Sequence, residues 1–395
     1  MKDEIYGLDK QIKRILEKIE HSELCEENKR KLLEFYRDCR VRGLSKARSF
    51  NYLRTLFVVA KVLGKPFEEA TREDIVEFLR WLEEKNYSEW TKHDYRAILK
   101  AFYKWLNNGV YPECVAWVKT TTKGRIKLPE ELLTVEEVRR LVDVADNLRD
   151  KAFILVLYES GCRIGELLTL RLKHVRFDEY GAILIVNGKT GMRRVRLIFS
   201  TPKLNQWVEN HPLKDDPNAP LWVTLGTNSR FKQLTYQTVR CLLKRVVKKA
   251  GIKKRVYPHL FRHSRATHLA NYLTEAQMKQ YFGWVQGSDM ASVYVHLSGR
   301  DLDNALLRLN GIKVKDERKD EQIKPLVCPR CKANNSPDAK FCSYCGLCLD
   351  PKTALQVDEL RTKLDKLMNE LVRNPEVLEA LVKGIEKLNQ KSRDF

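Results

Sequence analysis

The sequence lacks the apolar segments that a membrane or secreted protein needs. In its 395 residues no apolar run approaches the roughly 18 residues of a bilayer-spanning helix. The first residues, Met1 to Glu4, contain no signal-peptide core. Low-complexity tracts and long-period repeats are also absent. We therefore expect a cytoplasmic protein without a membrane partner.

Acidic residues are scarce relative to basic ones. The chain has 52 Asp and Glu against 73 Lys and Arg, a net charge of +21. A charge-rich thermophile surface would account for 32% charged residues but not for this excess. Binding of a basic protein to phosphates releases counterions, so a chain this basic favours a polyanionic partner. We therefore expect the partner to be a nucleic acid and the location to be nucleoid-associated.

The length predicts two or more domains, since single cores stop growing near roughly 250–300 residues. Helical apolar spacing indicates a four- or five-helix bundle over 1–117, followed by a basic linker over 118–132. Residues 133–311 read as mainly helical with one β-hairpin, and 312–326 as a charged linker. A cysteine module spans 327–350, and helices with heptad-spaced leucines span 351–395. The predicted fold class is mainly α with a small antiparallel β-sheet.

Cysteine usage falls into two groups. Five cysteines are scattered and read as small buried apolar residues. The others form two Cys-x-x-Cys knuckles, whose thiolates suit one structural zinc ion. A redox role is the alternative, but no βαβ pattern surrounds the motif. Cys348 is a spare, and the predicted zinc ligands are Cys328, Cys331, Cys342 and Cys345.

Two separated segments carry residues suited to phosphodiester chemistry. The stretch from His259 to Tyr294 contains an His-x-x-Arg pair, then Gly-Trp, then a tyrosine. Upstream, Arg163 and Glu166 lie in a Gly-x-Arg-x-Gly-Glu context. By itself that pair could be an ion pair on a surface helix. The hairpin places Lys189 in a Gly-Lys turn, with Lys173 as a rival.

These boxes, in this order, resemble those of the tyrosine recombinases, the family of integrases and Xer-type resolvases. The interval from Val285 to Met290 is similar to that of the archaeal branch. The resemblance implies a catalytic domain over 133–311. It also implies that roughly 24–117 form the helical core-binding domain that clamps the other face of DNA.

The resemblance also implies residue roles. Tyr294 is the expected nucleophile, forming a 3′-phosphotyrosyl link, with Tyr281 as a rival that looks like a core aromatic. Arg163 and Arg262 are expected to hold the non-bridging oxygens, because guanidinium forks fit phosphate. Lys189 is the expected general acid, and His259 is expected to accept or position the tyrosine proton. Trp284 is expected to donate its ring N–H, and Glu166 is expected to orient a neighbouring residue. His263, Arg265, His268 and His296 are expected to be structural or to face phosphate.

Two basic segments are predicted to contact the DNA backbone, where contacts position a protein without reading sequence. One is the linker, with Lys119, Lys123, Arg125 and Lys127. The other precedes the His box and contains Arg240, Lys244, Arg245, Lys248 and Lys249. A solvated helix face is the alternative for the second segment.

The function that the resemblance implies is site-specific recombination of double-stranded DNA, with integration and excision of a mobile element preferred. The alternatives are Xer-like chromosome dimer resolution, type IB topoisomerase-like relaxation and a non-catalytic DNA-binding relative. The family implies a homotetramer on synapsed DNA and no cofactor for catalysis. The 351–395 region is expected to exchange between protomers or to form a dimeric coiled coil.

Overall fold

The structure is a computed structural model. It describes residues 2–121, 131–188, 190–226, 230–297, 310, 325–337, 339–373, 375, 377, 378 and 383. Within these residues, no helix combines the length and apolar character needed to cross a membrane. The fold is mainly helical with small antiparallel sheets, which confirms the predicted class.

The N-terminal region is a helical bundle around one core. Its helices are α1 (Lys2–Tyr6), α2 (Leu8–Glu20), α3 (Glu26–Val41), α4 (Lys46–Leu63), α5 (Arg72–Glu84), α6 (Glu89–Leu106) and α7 (Glu113–Ala116), with a 3-10 turn at Phe67–Glu69. Phe35, Phe67 and Phe102 meet at the centre with ring centroids 4.6–5.2 Å apart. Aromatic packing of this kind adds stability beyond the apolar area buried.

Local signals set the helix boundaries in this bundle. Thr71 and Asp74 form a reciprocal capping box at the start of α5. Ser45 accepts a hydrogen bond from the backbone of Arg48 at the start of α4. Gly64 ends α4 in the left-handed conformation.

The second region, which contains the segments with Arg163 and Arg262, has its own hydrophobic core. Its helices are α8 (Val135–Asp143), α9 (Leu148–Ser160), α10 (Ile164–Leu168), α11 (Thr201–Glu209), α12 (Tyr236–Lys249), α13 (Pro258–Leu269), α14 (Glu275–Phe282) and α15 (Met290–Leu297), with a 3-10 turn at Leu172–His174. Helix α9 is buried on every side from Ala152 to Ser160, so it is the central element of this core.

The sheet of the second region has one strand more than the predicted hairpin. Strands β2 (Gly181–Gly188) and β3 (Gly191–Leu197) pair antiparallel, with Gly188 opposite Gly191. Strand β1 (Val175–Asp178) pairs with β2 on its other edge. The sequence pattern that predicted the hairpin, with Arg194, Val195, Arg196 and Leu197 alternating, did not predict β1. This strand is short and mostly exposed, so it has no apolar alternation of its own.

The first helix contacts the second core as well as the bundle. Asp3 pairs with Lys46 of α4 at 3.7 Å. Ile5 is buried among the residues of the second core. Tyr6 lies against Tyr236 of α12, with ring centroids 5.4 Å apart. Contacts between α1 and the second region therefore cross the domain boundary predicted at 117.

The C-terminal region contains a short two-stranded sheet, β4 (Leu326–Val327) with β5 (Asn334–Asn335), and one long helix, α16 (Pro351–Val372). Asp350 caps α16 by accepting from the backbone of Thr353 at 2.9 Å. The heptad-spaced side chains of α16 are exposed: Val357, Leu360, Leu364, Leu367 and Leu371.

Candidate active site

Arg163 is placed by the turn that ends α9. Gly161 adopts a left-handed conformation (φ +54°), and a Cβ there would lie 2.5 Å from the ring of Phe282. A glycine is therefore required for the chain to turn toward α10. Arg163 stands just before α10, and its backbone N–H donates to Glu166 Oε2 at 3.0 Å. Its Nη1 contacts Glu166 Oε1 at 3.1 Å.

Arg262 lies on α13 with 3% of its surface exposed. Its Nη1 donates to the carbonyl of Gly161 at 2.8 Å, and its Nη2 donates to that of Phe282 at 2.7 Å. The next carbonyl, of Gly283, accepts weaker contacts from Arg163 at 3.4 and 3.5 Å. Two consecutive carbonyls before Trp284 thus hold the two arginines of the site.

The two guanidinium groups repel each other. Burial, and then the like charge of Arg163, lowers the pKa of Arg262 to about 10. Arg262 is still protonated at neutral pH. Because Arg163 remains about one-third exposed, the pair can reach an anion from solvent. The electrostatics favour a bound phosphate between the two side chains.

Tyr294 on α15 is buried against the same segment, with 4% of its surface exposed. Its ring stacks on Trp284 with centroids 5.5 Å apart and planes parallel within 1°. Burial raises the pKa of Tyr294 to about 12, although the charge of Arg262 opposes this rise. The ring N–H role predicted for Trp284 stays a prediction; the described contacts use the indole face, which also lies over Arg262.

The histidine that hydrogen-bonds to Tyr294 is His263, through Nδ1. Sequence reasoning assigned the tyrosine proton to His259 and gave His263 a structural or phosphate-facing role. The role of His259 stays a prediction, and the contact makes His263 a second candidate for the tyrosine proton. His259 and His263 are four residues apart on one face of α13, with ring centroids 4.6 Å apart. His259 lies in the exposed first turn, whereas His263 is one turn closer to α15.

The rival nucleophile, Tyr281, lies in the core. Its hydroxyl donates to the carbonyl of Glu159 at 2.7 Å, and burial raises its pKa. Arg265, also on α13, donates to the same carbonyl at 3.1 Å. Both side chains therefore contact the end of α9, and the roles predicted for them stay predictions.

Sequence reasoning missed Arg193. This β3 residue makes a two-pronged ion pair with Glu166, Nη1 to Oε1 at 3.1 Å and Nη2 to Oε2 at 2.7 Å. Its Nε donates to the carbonyl of Tyr281 at 3.0 Å. Glu166, which was predicted to orient a neighbouring residue, therefore contacts both Arg163 and Arg193. No local pattern separates Arg193 from the other arginines of the strand.

Lys189 lies outside the described residues. Its neighbours in sequence are Gly188 and Thr190, and the pairing of β2 with β3 ends with Gly188 opposite Gly191. Thr190 Oγ1 donates to the carbonyl of Gly283 at 3.3 Å, so this end of the hairpin touches the segment that holds Arg163. The role predicted for Lys189 stays a prediction.

The basic residues predicted to bind DNA are placed differently from one another. Lys123, Arg125 and Lys127 lie outside the described residues, and Lys119 is exposed. On α12, Arg245 contacts Asp146 and Asp150 at 3.2 and 2.9 Å, and Lys249 also contacts Asp146. These carboxylates partly neutralise Arg245 and Lys249, a pairing that is remote in sequence. Arg240, Lys244 and Lys248 of α12 are exposed, and the described part of the chain shows no acidic partner for them.

The four predicted cysteine ligands converge. Their Sγ atoms all lie within 4.8 Å of one another, with Cys328 to Cys345 and Cys331 to Cys342 both at 3.5 Å. Tetrahedral Zn–S bonds of about 2.3 Å would set the sulfurs roughly 3.8 Å apart, so the cluster fits a metal ion. Asn335 Nδ2 donates to Cys342 Sγ at 3.5 Å, an outer contact that would orient this ligand.

Comparisons with known proteins agree with this geometry. The phage integrase family model matches residues 131–300, and the model of the phage integrase N-terminal SAM-like domain matches residues 32–113. Tyrosine recombinase XerA of Pyrococcus horikoshii is 30% identical over 258 residues, which cover 64% of this chain and 86% of that protein.

Two further similarities are to a transposase and to a recombinase of known structure. Transposase A from transposon Tn554 of Staphylococcus aureus is 28% identical over 217 residues, which cover 52% of this chain and 58% of the transposase. The structure of XerH site-specific recombinase in a post-cleavage complex with palindromic difH substrate aligns with a TM-score of 0.57 at 18% identity. That alignment covers 76% of this chain and 89% of the XerH chain. At this level of identity it shows that the two proteins share a fold.

Proposed function

Since this chain belongs to the phage integrase family of tyrosine recombinases, which cleave and rejoin DNA, we propose that Tyr294 is its nucleophile and that it integrates and excises mobile DNA. The family assignment makes the chain an enzyme of site-specific recombination. The residue roles, the biological role, the metal and the assembly are the parts that we propose.

One observation carries the catalytic proposal. The consecutive residues Phe282, Gly283 and Trp284 contact, in order, Arg262, Arg163 and Tyr294. A phosphate that neutralises the two arginines therefore lies beside the tyrosine. Preorganised cations of this kind stabilise the charge that develops on the phosphorane.

The reaction proceeds as a transesterification. Tyr294 Oη attacks the phosphorus, the phosphorus bond to the 5′-oxygen breaks, and a 3′-phosphotyrosyl link and a free 5′-hydroxyl result. His263 accepts the phenol proton, because it is the hydrogen-bond partner of that hydroxyl. Lys189 donates a proton to the leaving 5′-oxygen. The link conserves the ester energy, so the reverse attack rejoins the strand.

The matched pair Tyr294→Phe and Tyr281→Phe tests this assignment. Each substitution removes one buried hydroxyl with one hydrogen bond, so each should cost about 0.5–1.5 kcal/mol of stability. On a nicked suicide duplex, only Tyr294→Phe should lose the covalent protein–DNA adduct, while both variants bind DNA. Adduct formation by Tyr294→Phe, mapped to another residue by mass spectrometry, would overturn the proposal.

The proposal of a mobile-element role is supported by the transposase relative and by the added C-terminal region. The test supplies two duplexes that carry a candidate attachment site. Integration predicts joined products that require two sites. Relaxation of supercoiled DNA without a site requirement would instead indicate topoisomerase-like activity, and resolution of a chromosomal dimer site would indicate an Xer-like role.

We propose double-stranded DNA as the substrate and a tetramer as the active assembly. Helix α16 supports self-association, because its exposed apolar side chains from Val357 to Leu371 recur every 3.5 residues on average. Replacing Leu360, Leu364 and Leu367 with Gln should lower the mass of the DNA-bound assembly in analytical ultracentrifugation. An unchanged assembly would exclude α16 as the contact.

We further propose that the four cysteines bind Zn²⁺ as a structural ion. The supporting observation is the convergence of four thiol groups with Asn335 beside them. Bound zinc would hold together the segment from Cys328 to Cys345. Metal analysis of the purified chain should find about one zinc per protomer, and Cys331→Ser should lower that content. Iron or no metal would contradict the assignment.

A further inference from the structure

The Arg193 side chain joins three parts of the candidate site. It binds both carboxylate oxygens of Glu166 on α10, the carbonyl of Tyr281 at the end of α14, and at 3.6 Å the sulfur of Cys162. Only 9% of the Arg193 side chain and 3% of that of Glu166 are exposed. The pair is therefore protected from solvent screening, which would weaken it at a surface.

Two glycines make room for this guanidinium. A Cβ on Gly188 would lie 2.5 Å from Glu166 Oε1 and 3.0 Å from Arg193 Nη1. A Cβ on Gly283, where φ is +62°, would lie 2.9 Å from the same Nη1. Gly188 immediately precedes Lys189, and Gly283 immediately precedes Trp284. The glycine of the Gly-Lys turn and the glycine of the Gly-Trp motif therefore both line the space that the Arg193 guanidinium occupies.

The negative charge of Glu166 explains why this carboxylate needs Arg193 in addition to Arg163. Glu166 accepts two hydrogen bonds from Arg163, one from Nη1 and one from the backbone N–H. Without Arg193, the buried carboxylate would keep Arg163 as its nearest cation and would compete with phosphate for it. Burial by itself would raise the pKa of Glu166, but the guanidinium of Arg193 holds it below its ordinary value.

From this arrangement we infer that Arg193 is a positioning residue for DNA cleavage: it neutralises and fixes Glu166 so that Arg163 stays available to the scissile phosphate. By the same contacts it holds the hairpin that carries Lys189 against the segment that carries Trp284. The inference rests on the proposed function, because it takes the Arg163–Arg262–Tyr294 cluster as the cleavage site. Arg193 itself touches no reacting atom.

Single-turnover cleavage of a nicked suicide duplex tests the role. Arg193→Met should cleave roughly a hundredfold more slowly, the loss expected when one transition-state donor is misplaced. DNA binding should change less than about twofold, since only 9% of the Arg193 side chain is exposed. Arg196→Met is the matched control, because it removes an arginine–carboxylate pair with Asp178 from the same strand at the sheet edge. It should cleave at the parental rate.

A second substrate separates positioning from a merely structural role. A methylphosphonate at the scissile position lacks the negative oxygen that Arg163 would neutralise. The deficit of Arg193→Met should therefore shrink at least tenfold on this substrate. An equal deficit on both substrates, or parental cleavage of ordinary DNA by Arg193→Met, would overturn the inference.

Two further variants keep the test decisive. Glu166→Gln combined with Arg193→Met leaves no unpaired buried charge, so it should cleave faster than Arg193→Met alone; a slower double variant counts against the inference. If Arg193→Met does not fold, Arg193→Lys keeps the charge without the fork and should show the same substrate dependence. Tyr294→Phe is run in parallel. Adducts in that variant would refute the cleavage site itself, whatever Arg193 does.

Discussion

The buried charge of Arg262 makes a measurable prediction about the DNA-free enzyme. Its pKa is lowered to about 10 by burial and by Arg163. A drop of two to three pKa units corresponds to roughly 3 kcal/mol of unfavourable free energy at neutral pH. An oxyanion bound between the two guanidinium groups would offset this cost. We therefore expect tungstate, a dianion of phosphate-like shape, to stabilise the enzyme.

The expected size follows from mass action. At ten times its dissociation constant, a ligand that binds only the folded state adds about 1.4 kcal/mol of stability. For a folding unit of this size, that corresponds to a rise of about 3–6 °C in Tm. Differential scanning fluorimetry at constant ionic strength, with chloride as the reference salt, measures the rise. Tungstate should also compete with DNA cleavage.

Two substitutions on α13 make the measurement specific. Arg262→Gln removes the charge and should abolish the rise in Tm. Arg265→Gln removes a guanidinium three residues away that contacts the Glu159 carbonyl and lies over Tyr158 and Phe199. That control should keep the full response. An equal rise in all three proteins would show that tungstate acts elsewhere and would refute the anion site.

The remaining predictions concern the nucleophile, the basic helix and the cysteine cluster. The folded enzyme holds the Tyr294 proton more tightly than an unfolded chain, whose tyrosines ionise near pH 10; this stabilisation is present below about pH 10 and is lost as the pH rises through 12. Titration of absorbance at 295 nm should show one late-ionising tyrosine fewer in Tyr294→Phe, and identical titrations would contradict the burial argument. Replacing Arg240, Lys244 and Lys248 with Ala should reduce the slope of log affinity against log salt by about 0.9 per lost phosphate contact. Lys249→Ala removes a charge that is already paired with Asp146, so it should change the slope less. A larger change of slope in Lys249→Ala than in the triple variant would place DNA on another face. Chelation of the zinc ion that we propose should unfold the segment from Cys328 to Cys345 while cleavage persists, because the proposed phosphoryl step uses no metal. Loss of cleavage with the circular dichroism of the catalytic helices unchanged would link the two regions.

Features of the chain that depend on short-range sequence could be predicted. Thr71 and Thr134 begin helices with reciprocal caps, because the acidic partner is only three residues away. The two knuckles converge because each Cys-x-x-Cys places its own sulfurs on one side of a turn. The order of the catalytic boxes likewise identified Arg163, Arg262 and Tyr294, which the structure brings to one segment.

Features that depend on packing between remote elements could not be predicted. His259 and His263 share a helical face, and only the docking of α15 decides which one reaches Tyr294. Arg193 and Arg196 lie on the same short strand, yet one pairs with buried Glu166 and the other with Asp178 at an edge. Arg245 looked like a DNA contact because its acidic partner Asp150 is 95 residues away in sequence.

The contacts that hold Tyr294 and the cost of the buried charge of Arg262 have comparable energies. To attack a phosphate, the tyrosine must give up its hydrogen bond to His263, about 1 kcal/mol. It must also leave part of its stacking on Trp284, about 0.5–1.5 kcal/mol. Burial, and then the like charge of Arg163, costs the charged form of Arg262 roughly 3 kcal/mol, which a bound scissile phosphate would offset. We therefore expect phosphate binding to supply enough free energy to release the nucleophile. On this reasoning Trp284→Ala, which removes the stacking, should make Tyr294 more reactive toward tyrosine-specific reagents in the DNA-free enzyme. Unchanged reactivity in that variant would show that the stack does not protect the hydroxyl.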